Sequence, residues 1–244
     1  MTAKLECSAA SLWCGLTGTI TPEQEDGRSS RSDVTTNKLY YFTFRARAEV
    51  IRMVLHAAGV PFDDERISAD DWPKRKSEIP GGRMPVLQVF EPGRPDKPKN
   101  YVESMAIARM LAKRFNLMDD TEEGYYNIER MIGECEDVLK ELRNAFLSPA
   151  DKKEQLVKEA METSIPKLLN LISQSLSESA GRFVAGCKVT LGDLCLLACL
   201  DHVDKADPEL VKNKYPKLLE WREAVLKEKP KLADYIKSRP DTPF

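Results

Sequence analysis

The chain has 244 residues, with 37 Lys and Arg against 39 Asp and Glu, and only two histidines. This length is sufficient for one large domain or two small ones with a buried core. A net charge of −2 leaves no electrostatic footprint for nucleic acid or an anionic membrane. Because His56 and His202 lie far apart in the chain, a three-histidine zinc site and a Cys2His2 finger are both excluded.

The six cysteines also argue against metal and redox sites. None forms a Cys-x-x-Cys pair, so a zinc ribbon or a dithiol redox centre is not expected. Cys195 and Cys199 share one face of an apolar helix, where small buried core residues are common. The longest apolar run, 194–200, is too short to cross a bilayer. We expect a reduced, cytoplasmic protein without a metal or a membrane span.

Residues 1–36 differ in composition from the rest of the chain. They hold three basic and five acidic residues, and so carry the whole net charge of −2. They show no sustained hydrophobic period, which predicts a poorly ordered extension. A secretory signal over the mildly apolar stretch 8–20 is the alternative.

From residue 38 onwards the pattern predicts strands and helices in the order β-α-β, then β-β-α. Gly59 and Pro61 end the first helix, and the Pro- and Gly-rich segment 91–100 predicts a hairpin loop. The expected strands are 38–42, 62–67, 84–90 and 101–102, and the expected helices are 47–58 and 104–115.

After residue 118 only helices are predicted. The expected helices are 122–145, 151–176 with a kink at Pro166, 190–203, 216–228 and 230–237. An α/β unit followed by an all-helical unit indicates two domains joined near residues 116–121. We therefore expect an N-terminal domain over residues 37–116 and a C-terminal domain over residues 117–244, after the extension 1–36.

Several segments carry polar groups that could serve a ligand, although each has an ordinary structural interpretation. Pro85 enters a strand, and a cis bond before it would leave the backbone of Met84 free to pair with an outside peptide. Ser104 begins a helix, where it either caps that helix or helps to hold a carboxylate. Segment 190–193 has the spacing of a capping box. Tyr41 ends the first strand, where a structural tyrosine is equally ordinary.

Together, five ordered motifs resemble those of the cytosolic glutathione transferases, and within them the sigma class. The similarity runs from about residue 38 to residue 244, and it extends to the 28-kilodalton transferases of parasitic flatworms. The motifs are Tyr40-Tyr41-Phe42 with Arg47-Ala48-Glu49, Asp71-Trp72-Pro73-Lys74-Arg75-Lys76, Met84-Pro85-Val86-Leu87, Glu103-Ser104-Met105-Ala106-Ile107-Ala108 and Val189-Thr190-Leu191-Gly192-Asp193-Leu194.

The resemblance implies a thioredoxin-like α/β domain that binds glutathione, followed by an all-α domain that supplies most of the pocket for a hydrophobic electrophile. It implies a homodimer with two active sites. It also implies the reaction, in which the glutathione thiolate attacks an electrophile during detoxification. Peroxide reduction and prostaglandin D synthase activity are further activities known among such enzymes.

The resemblance assigns the activation of the thiol to Tyr41. A free thiol has a pKa near 8.5, and lowering it by two units requires about 2.7 kcal/mol. A hydrogen bond from the Tyr41 hydroxyl to the sulfur would supply roughly 1.5–3 kcal/mol. The tyrosine would stay protonated and stabilise the anion rather than act as a nucleophile. Arg47 is expected near the Tyr41 ring as a supporting cation, with Arg52 as a further one.

The same motifs imply contacts for the glycyl and cysteinyl parts of glutathione. Trp72 and Lys76 match the positions that hold the glycyl carboxylate. The backbone of Met84, beside a cis Pro85, should pair with the cysteinyl unit. The expected glutathione contacts also include Phe42 and Arg83.

The γ-glutamyl end has a carboxylate and an ammonium group, and the motifs match both. Ser104 should bind the carboxylate, and Glu103, where many relatives carry Gln, should accept from the ammonium. Asp137 matches an acidic residue that reaches this ammonium from the partner subunit. Glu136 is the alternative for that role.

Substrate preference does not follow from the resemblance. Arg45 and Ala46 stand where relatives often carry Gly or Met, and these positions border the electrophile pocket. Cysteine-dependent relatives are disfavoured because they carry Cys at the position of Tyr41. A non-enzymatic, crystallin-like or glutathione-dependent binding protein is the alternative function. Phe44, Met131, Cys135 and Leu139 either line the pocket or pack in the core.

Overall fold

The computed structural model describes residues 35–92, 94, 96–179 and 181–242. The predicted N-terminal extension and its alternative, a secretory signal, fall outside these residues except for the last two positions. The first strand already begins at Thr36.

A four-stranded mixed sheet forms the N-terminal part of the fold. The strands are β1 (Thr36–Phe42), β2 (Asp63–Ile67), β3 (Val86–Phe90) and β4 (Lys99–Val102), in the spatial order β2-β1-β3-β4. Helix α1 (Ala46–Ala57) connects β1 to β2, which run parallel, whereas β3 and β4 are antiparallel to their neighbours. Pairing of β1 with β3 ends at Tyr40, so Tyr41 lies just beyond that ladder.

The two faces of this sheet are covered by different elements. On one face, α1 and α3 (Ser104–Arg114) pack together over the apolar side chains of β1 and β3. On the other, α2 (Trp72–Arg75) and two 3-10 turns cover a small cluster formed by Ile67, Ile79 and Val86. The predicted order β-α-β, then β-β-α, is therefore confirmed.

Two strand boundaries differ from the predicted ones. β3 begins at Val86 rather than at Met84, because Pro85 has no N–H to donate to the ladder. β4 begins at Lys99 rather than at residue 101, since its pairing with β3 extends into the predicted loop.

The C-terminal part is all helical, as predicted. The helices are α4 (Glu122–Phe146), α5 (Ala150–Glu162), α6 (Ser164–Glu178), α7 (Leu191–Ala206), α8 (Pro208–Lys214), α9 (Pro216–Glu228) and α10 (Pro230–Ser238). The longest of them, α4, packs against α5, α6 and α7.

The prediction of one kinked helix over 151–176 was wrong. The chain breaks at Thr163, whose φ and ψ of −122° and −71° separate α5 from α6. Pro166 lies in the first turn of α6, where a missing N–H costs no helical hydrogen bond, so it does not produce a kink. The sequence reading also missed α8, which Asp207 caps by accepting from the N–H groups of Glu209 and Leu210.

Helix α7 forms the centre of the helical part. Most of its residues are buried, and its cysteines Cys195 and Cys199 lie in the core as predicted. They are free thiols, as is Cys135 of α4. None of the described helices is long and apolar enough to cross a membrane.

Candidate active site at the end of the first strand

Tyr41 is buried at the end of β1, with 4% of its surface exposed. Its hydroxyl accepts a hydrogen bond from the backbone N–H of Arg47, at 3.3 Å, in the first turn of α1. Burial raises the pKa of the Tyr41 phenol and outweighs the opposing effects of the Arg47 N–H and of the nearby arginine charges. The phenol therefore stays protonated at neutral pH and can donate its own hydrogen to a ligand atom.

Two arginines act on the Tyr41 phenol. Arg47 is exposed, its backbone N–H donates to the Tyr41 hydroxyl, and its charge lowers the phenol pKa more than the charge of Arg52 does. The guanidinium over the Tyr41 ring belongs to Arg52, 5.9 Å from the ring centroid. The positive charge near the phenol thus comes from both Arg47 and Arg52.

Arg52 also organises the loop between β1 and α1. It is fully buried and donates to the backbone carbonyls of Phe42, Phe44 and Arg45 at 3.3–3.5 Å. Its Nε donates to both carboxylate oxygens of Asp64 in β2, at 3.0 and 3.1 Å. Three carbonyls following Tyr41 are thereby held by one side chain.

Aromatic contacts connect Tyr41 with Trp72. The Phe42 ring lies edge-on to Tyr41 and to Trp72, with both centroid distances at 5.6 Å. Phe44 stacks on Phe42 at 5.0 Å. Lys76 follows α2 and extends over Gly82, with its Cε 3.6 Å from where a Cβ of that residue would stand. The structure thus places Trp72 beside Phe42 and Lys76 beside Gly82, shortly before β3 begins.

The segment before β3 reaches the same region. The Met84–Pro85 bond is cis, as predicted, and Met84 packs on the apolar cluster that also contacts Trp72. The backbone of Met84 lies before the first residue of β3 and takes no part in the strand ladder. Its N–H and C=O are therefore available to an extended peptide.

Glu103 and Ser104 stand at the start of α3. Glu103 has a φ of 69°, a left-handed conformation that costs a non-glycine residue about 1–3 kcal/mol. Its carboxylate pairs with Arg83 at 3.5 Å on the surface, which joins the entrance of β3 to α3. The hydroxyl of Ser104 makes no hydrogen bond among the described residues, so the interpretation of Ser104 as a cap for its own helix is not supported.

The structure does not bring Asp137 to these residues within one chain. Asp137 and Glu136 are exposed on α4, and Asp137 borders a surface cleft against α6. Met131 and Cys135 are buried core residues, whereas Phe44 lies edge-on to Tyr41 at 5.9 Å. A cavity of about 710 Å³ lies among α4, α5 and α8 and shares no residue with the site around Tyr41.

Several polar groups in this region are left without partners. Four polar groups have no partner among the described residues: the Trp72 indole N–H beside Phe42, the Lys76 ammonium near Gly82, the Met84 backbone before β3 and the Ser104 hydroxyl at the start of α3. In the described part of the chain, no group of three or more His, Cys, Asp or Glu could hold a metal ion. The mixed sheet with its cis proline, followed by an all-helical part, has the order of elements that the resemblance implies.

Comparison with known proteins gives the family. Residues 37–113 match the family model for the N-terminal domain of glutathione S-transferases, and residues 136–239 match that for the C-terminal domain. The glutathione S-transferase class-mu 28 kDa isozyme of Schistosoma mansoni is 46% identical over 207 residues, which is 85% of this chain and 97% of that protein. The chain belongs to the glutathione S-transferase family.

A solved structure places the chain more narrowly. The sigma class enzyme of Fasciola hepatica superimposes with a TM-score of 0.80 at 46% identity, covering 86% of this chain and 99% of that one. Human hematopoietic prostaglandin D synthase is a more distant relative, 31% identical over 209 residues, or 84% of this chain and 97% of the synthase. The chain is thus a transferase of the sigma class that uses glutathione as its co-substrate.

Proposed function

We propose that Tyr41 activates glutathione by donating a hydrogen bond to its thiolate, which then attacks a hydrophobic electrophile. The carrying observation is the hydrogen bond from the Arg47 N–H to the Tyr41 hydroxyl. This contact occupies a lone pair of the phenol oxygen and leaves the phenol hydrogen free to point elsewhere. A donor held in this way needs no reorganisation when the thiolate forms.

The remaining contacts follow from the groups that lack partners. Trp72 and Lys76 bind the glycyl carboxylate, and the Met84 backbone pairs with the cysteinyl unit. Ser104, aided by the N–H groups at the start of α3, binds the γ-glutamyl carboxylate. Phe42, Arg83, Pro85 and Glu103 complete the site. Glu103 accepts from the ligand ammonium and would exchange its surface pair with Arg83 for this contact.

We further propose that two chains associate, with Asp137 of each reaching the γ-glutamyl ammonium in the other. The support is that Asp137 is exposed on α4 and shares no contact with its own chain's site. In this arrangement the glutathione-binding domain spans residues 37–116 and the helical domain spans residues 117–244. Detoxification in the cytoplasm is the biological setting that we propose.

Replacing Tyr41 with Phe tests the assignment of the donor. Loss of a hydrogen bond to a charged sulfur costs roughly 1.5–3 kcal/mol, so we expect kcat/KM with a chromogenic electrophile to fall by about ten- to a hundredfold. Glutathione affinity, measured by calorimetry, should change little. Tyr40→Phe is the matched control, because the Tyr40 hydroxyl already donates to Gln88 at 3.0 Å and its side chain points to the opposite face of β1 from Tyr41.

Equal turnover by the Tyr41→Phe variant and the native enzyme would remove Tyr41 from this role. Glutathione binding without turnover of any electrophile by the native protein would instead favour the glutathione-dependent binding function.

Mixed dimers test the contribution of Asp137. In a dimer of one Tyr41→Phe chain and one Asp137→Ala chain, a shared site would leave one site intact and the other doubly impaired. We then expect about half of the native activity, well above either homodimer. A site built within one chain would give only the average of the two variants. The same mixture with Glu136→Ala tests the alternative residue.

Isomerisation of prostaglandin H2 is the second activity that we propose, since a relative at 31% identity bears the name of a prostaglandin D synthase. Product analysis after adding prostaglandin H2 and glutathione is the test. Formation of prostaglandin D2 at no more than the spontaneous rate would exclude this activity.

A further inference from the structure

The C-terminal segment of the chain returns to the loop that carries Tyr41. Residues 235–241 include the end of α10 and the three positions after it, and they contact α1, α7 and the β1–α1 loop. We refer to residues 235–241 as the C-terminal latch. Its contacts fall into two sets, one buried and one at the surface.

The buried set is centred on Glu49 of α1, which is 1% exposed. Tyr235 donates its hydroxyl hydrogen to the Glu49 carboxylate, whose oxygens lie 3.0 and 3.1 Å from the hydroxyl, and Arg239 donates to Oε1 at 2.6 Å. Arg239 also binds Asp201 of α7 through its other terminal nitrogen. Arg239 thus joins α1 to α7 through two buried carboxylates.

Glu49 connects this set to the loop. Its second oxygen pairs with Arg52 Nη1 at 3.4 Å, and the same nitrogen donates to the carbonyls of Phe44 and Arg45. A shift of Glu49 would therefore shift Arg52, because both side chains are enclosed and have few other arrangements. The path from Arg239 to the residues after Tyr41 passes through only these two side chains.

The surface set holds the loop directly. Asp241 pairs with Arg45 of the loop at 3.2 Å and with Lys205 of α7 at 2.7 Å. Arg45 also donates to the carbonyl of Pro240 at 3.4 Å. The next residue, Ala46, has a φ of 31°, which a non-glycine residue adopts only when its surroundings impose it. The β1–α1 loop thus has an unfavourable backbone conformation at Ala46, next to the residue, Arg45, that the C-terminal latch contacts.

We propose that the C-terminal latch positions the Tyr41 hydroxyl, and that Arg239 and Asp241 are positioning residues for thiol activation. The inference rests on the proposed role of Tyr41. Neither residue contacts Tyr41. Each acts by fixing the loop and the first turn of α1, whose Arg47 N–H orients the phenol. Loosening the loop would let this hydrogen bond lengthen and the phenol turn away from the sulfur.

The test measures the pH at which enzyme-bound glutathione ionises, by the ultraviolet absorbance of the thiolate. For Arg239→Gln and Asp241→Asn we expect about tenfold less thiolate at neutral pH, with glutathione affinity within about twofold of native. Arg239→Lys should recover at least half of the loss. Asp241 is mostly exposed, so Asp241→Asn folds even if Arg239→Gln does not. Asp234→Asn is the matched control, since its carboxylate on α10 makes no contact with the loop.

Combination with Tyr41→Phe separates this inference from the proposed function. If the latch acts through Tyr41, Asp241→Asn has no further effect on thiol ionisation in the Tyr41→Phe background. Ionisation that is unchanged in Tyr41→Phe alone would overturn the proposed function. If ionisation of the thiol changes in Tyr41→Phe but not in Asp241→Asn or Arg239→Gln, the positioning role of the C-terminal latch is wrong and the role of Tyr41 stands. If the two latch variants have lower melting temperatures but unchanged ionisation of the thiol, the latch has only a structural role.

Discussion

Two neighbouring tyrosines on β1 have opposite surroundings because successive side chains of a strand point to opposite faces. Tyr40 lies over the polar pair Gln88 and Asn100, whereas Tyr41 is enclosed next to Phe42 and Phe44. The family motif predicts Tyr41 and not Tyr40 as the donor. The contact through the Arg47 backbone could not be predicted, because it depends on how α1 begins.

The state of Tyr41 predicts the pH dependence of activity. Because burial raises the pKa of the phenol above its ordinary value near 10, the donor form persists across the neutral and mildly alkaline range. We expect kcat/KM to rise with pH through a single thiol ionisation and to show no decline up to about pH 9.5. Steady-state rates from about pH 5.5 to 9.5 check this. A descending limb below pH 9 would contradict the retained phenol proton.

The strained loop residue predicts an effect on stability. Ala46→Gly removes a left-handed penalty of about 1–2 kcal/mol but increases the entropy of the unfolded chain by about 0.5–1 kcal/mol. We expect the free energy of unfolding to rise by up to about 1 kcal/mol in urea titrations. Ala233→Gly, within α10, is the control and should lower it by about 0.5–1 kcal/mol. Equal losses in both variants would mean that Ala46 is not strained.

At the scale of elements, the start of a helix could be predicted where the capping residue and its partner are close together in the sequence. Thr190 and Asp193 mark the start of α7, and the Asp193 carboxylate accepts from the N–H and the hydroxyl of Thr190. The start of α8 has an equally local signal in Asp207 and Pro208, which the sequence reading overlooked. The break at Thr163 does have a local signal, since Pro166 lies in the first turn of α6, but the sequence analysis interpreted that proline as a kink within one helix.

The buried carboxylate of Asp193 predicts a large loss on truncation. It accepts four hydrogen bonds, which include those from the N–H of Val184 and the indole of Trp221, both at 3.0 Å. Asp193→Ala leaves several buried donors unpaired, so we expect unfolding to become easier by about 3–5 kcal/mol. Asp207→Ala, at the exposed cap of α8, should cost only about 1 kcal/mol. Similar losses in urea titrations of the two variants would contradict the special role of Asp193.

At the scale of the whole molecule, positive and negative charges nearly balance, so charged groups act through their local positions rather than through net charge. In the site that we propose, glutathione is attracted by local groups such as Lys76, whereas the buried ion pairs join distant parts of the chain. The domain order was predictable from the switch in hydrophobic period near residue 118. Contacts between the domains were not, since the bidentate pair of Arg109 and Glu129 and the latch contacts of Glu49 join residues that no local pattern connects.

The two histidines make the fold sensitive to acid. Burial lowers the pKa of His202 from 6.5 to about 4, and burial also lowers the pKa of His56. At a pH between about 4 and 6.5, His202 is protonated in the unfolded chain but neutral in the folded chain. The free energy of unfolding therefore falls as the pH drops below about 6.5. For His202 the loss between pH 7 and pH 5 should be about 2 kcal/mol. His202→Gln should reduce the pH dependence by this amount in urea titrations, whereas an unchanged slope would contradict it.

The pairing of Glu49 with Tyr235 and Arg239 has a consequence for synthesis of the chain. These partners lie 186 and 190 positions later, so they leave the ribosome roughly 10–40 s after Glu49 at 5–20 residues per second. During that interval the nascent sheet unit has only Arg52 as a partner for this carboxylate, and the face of α1 that α7 and α10 later cover stands open. The loop that follows Tyr41 therefore gains its contacts with the C-terminal latch only after the helices of the C-terminal part have been synthesised.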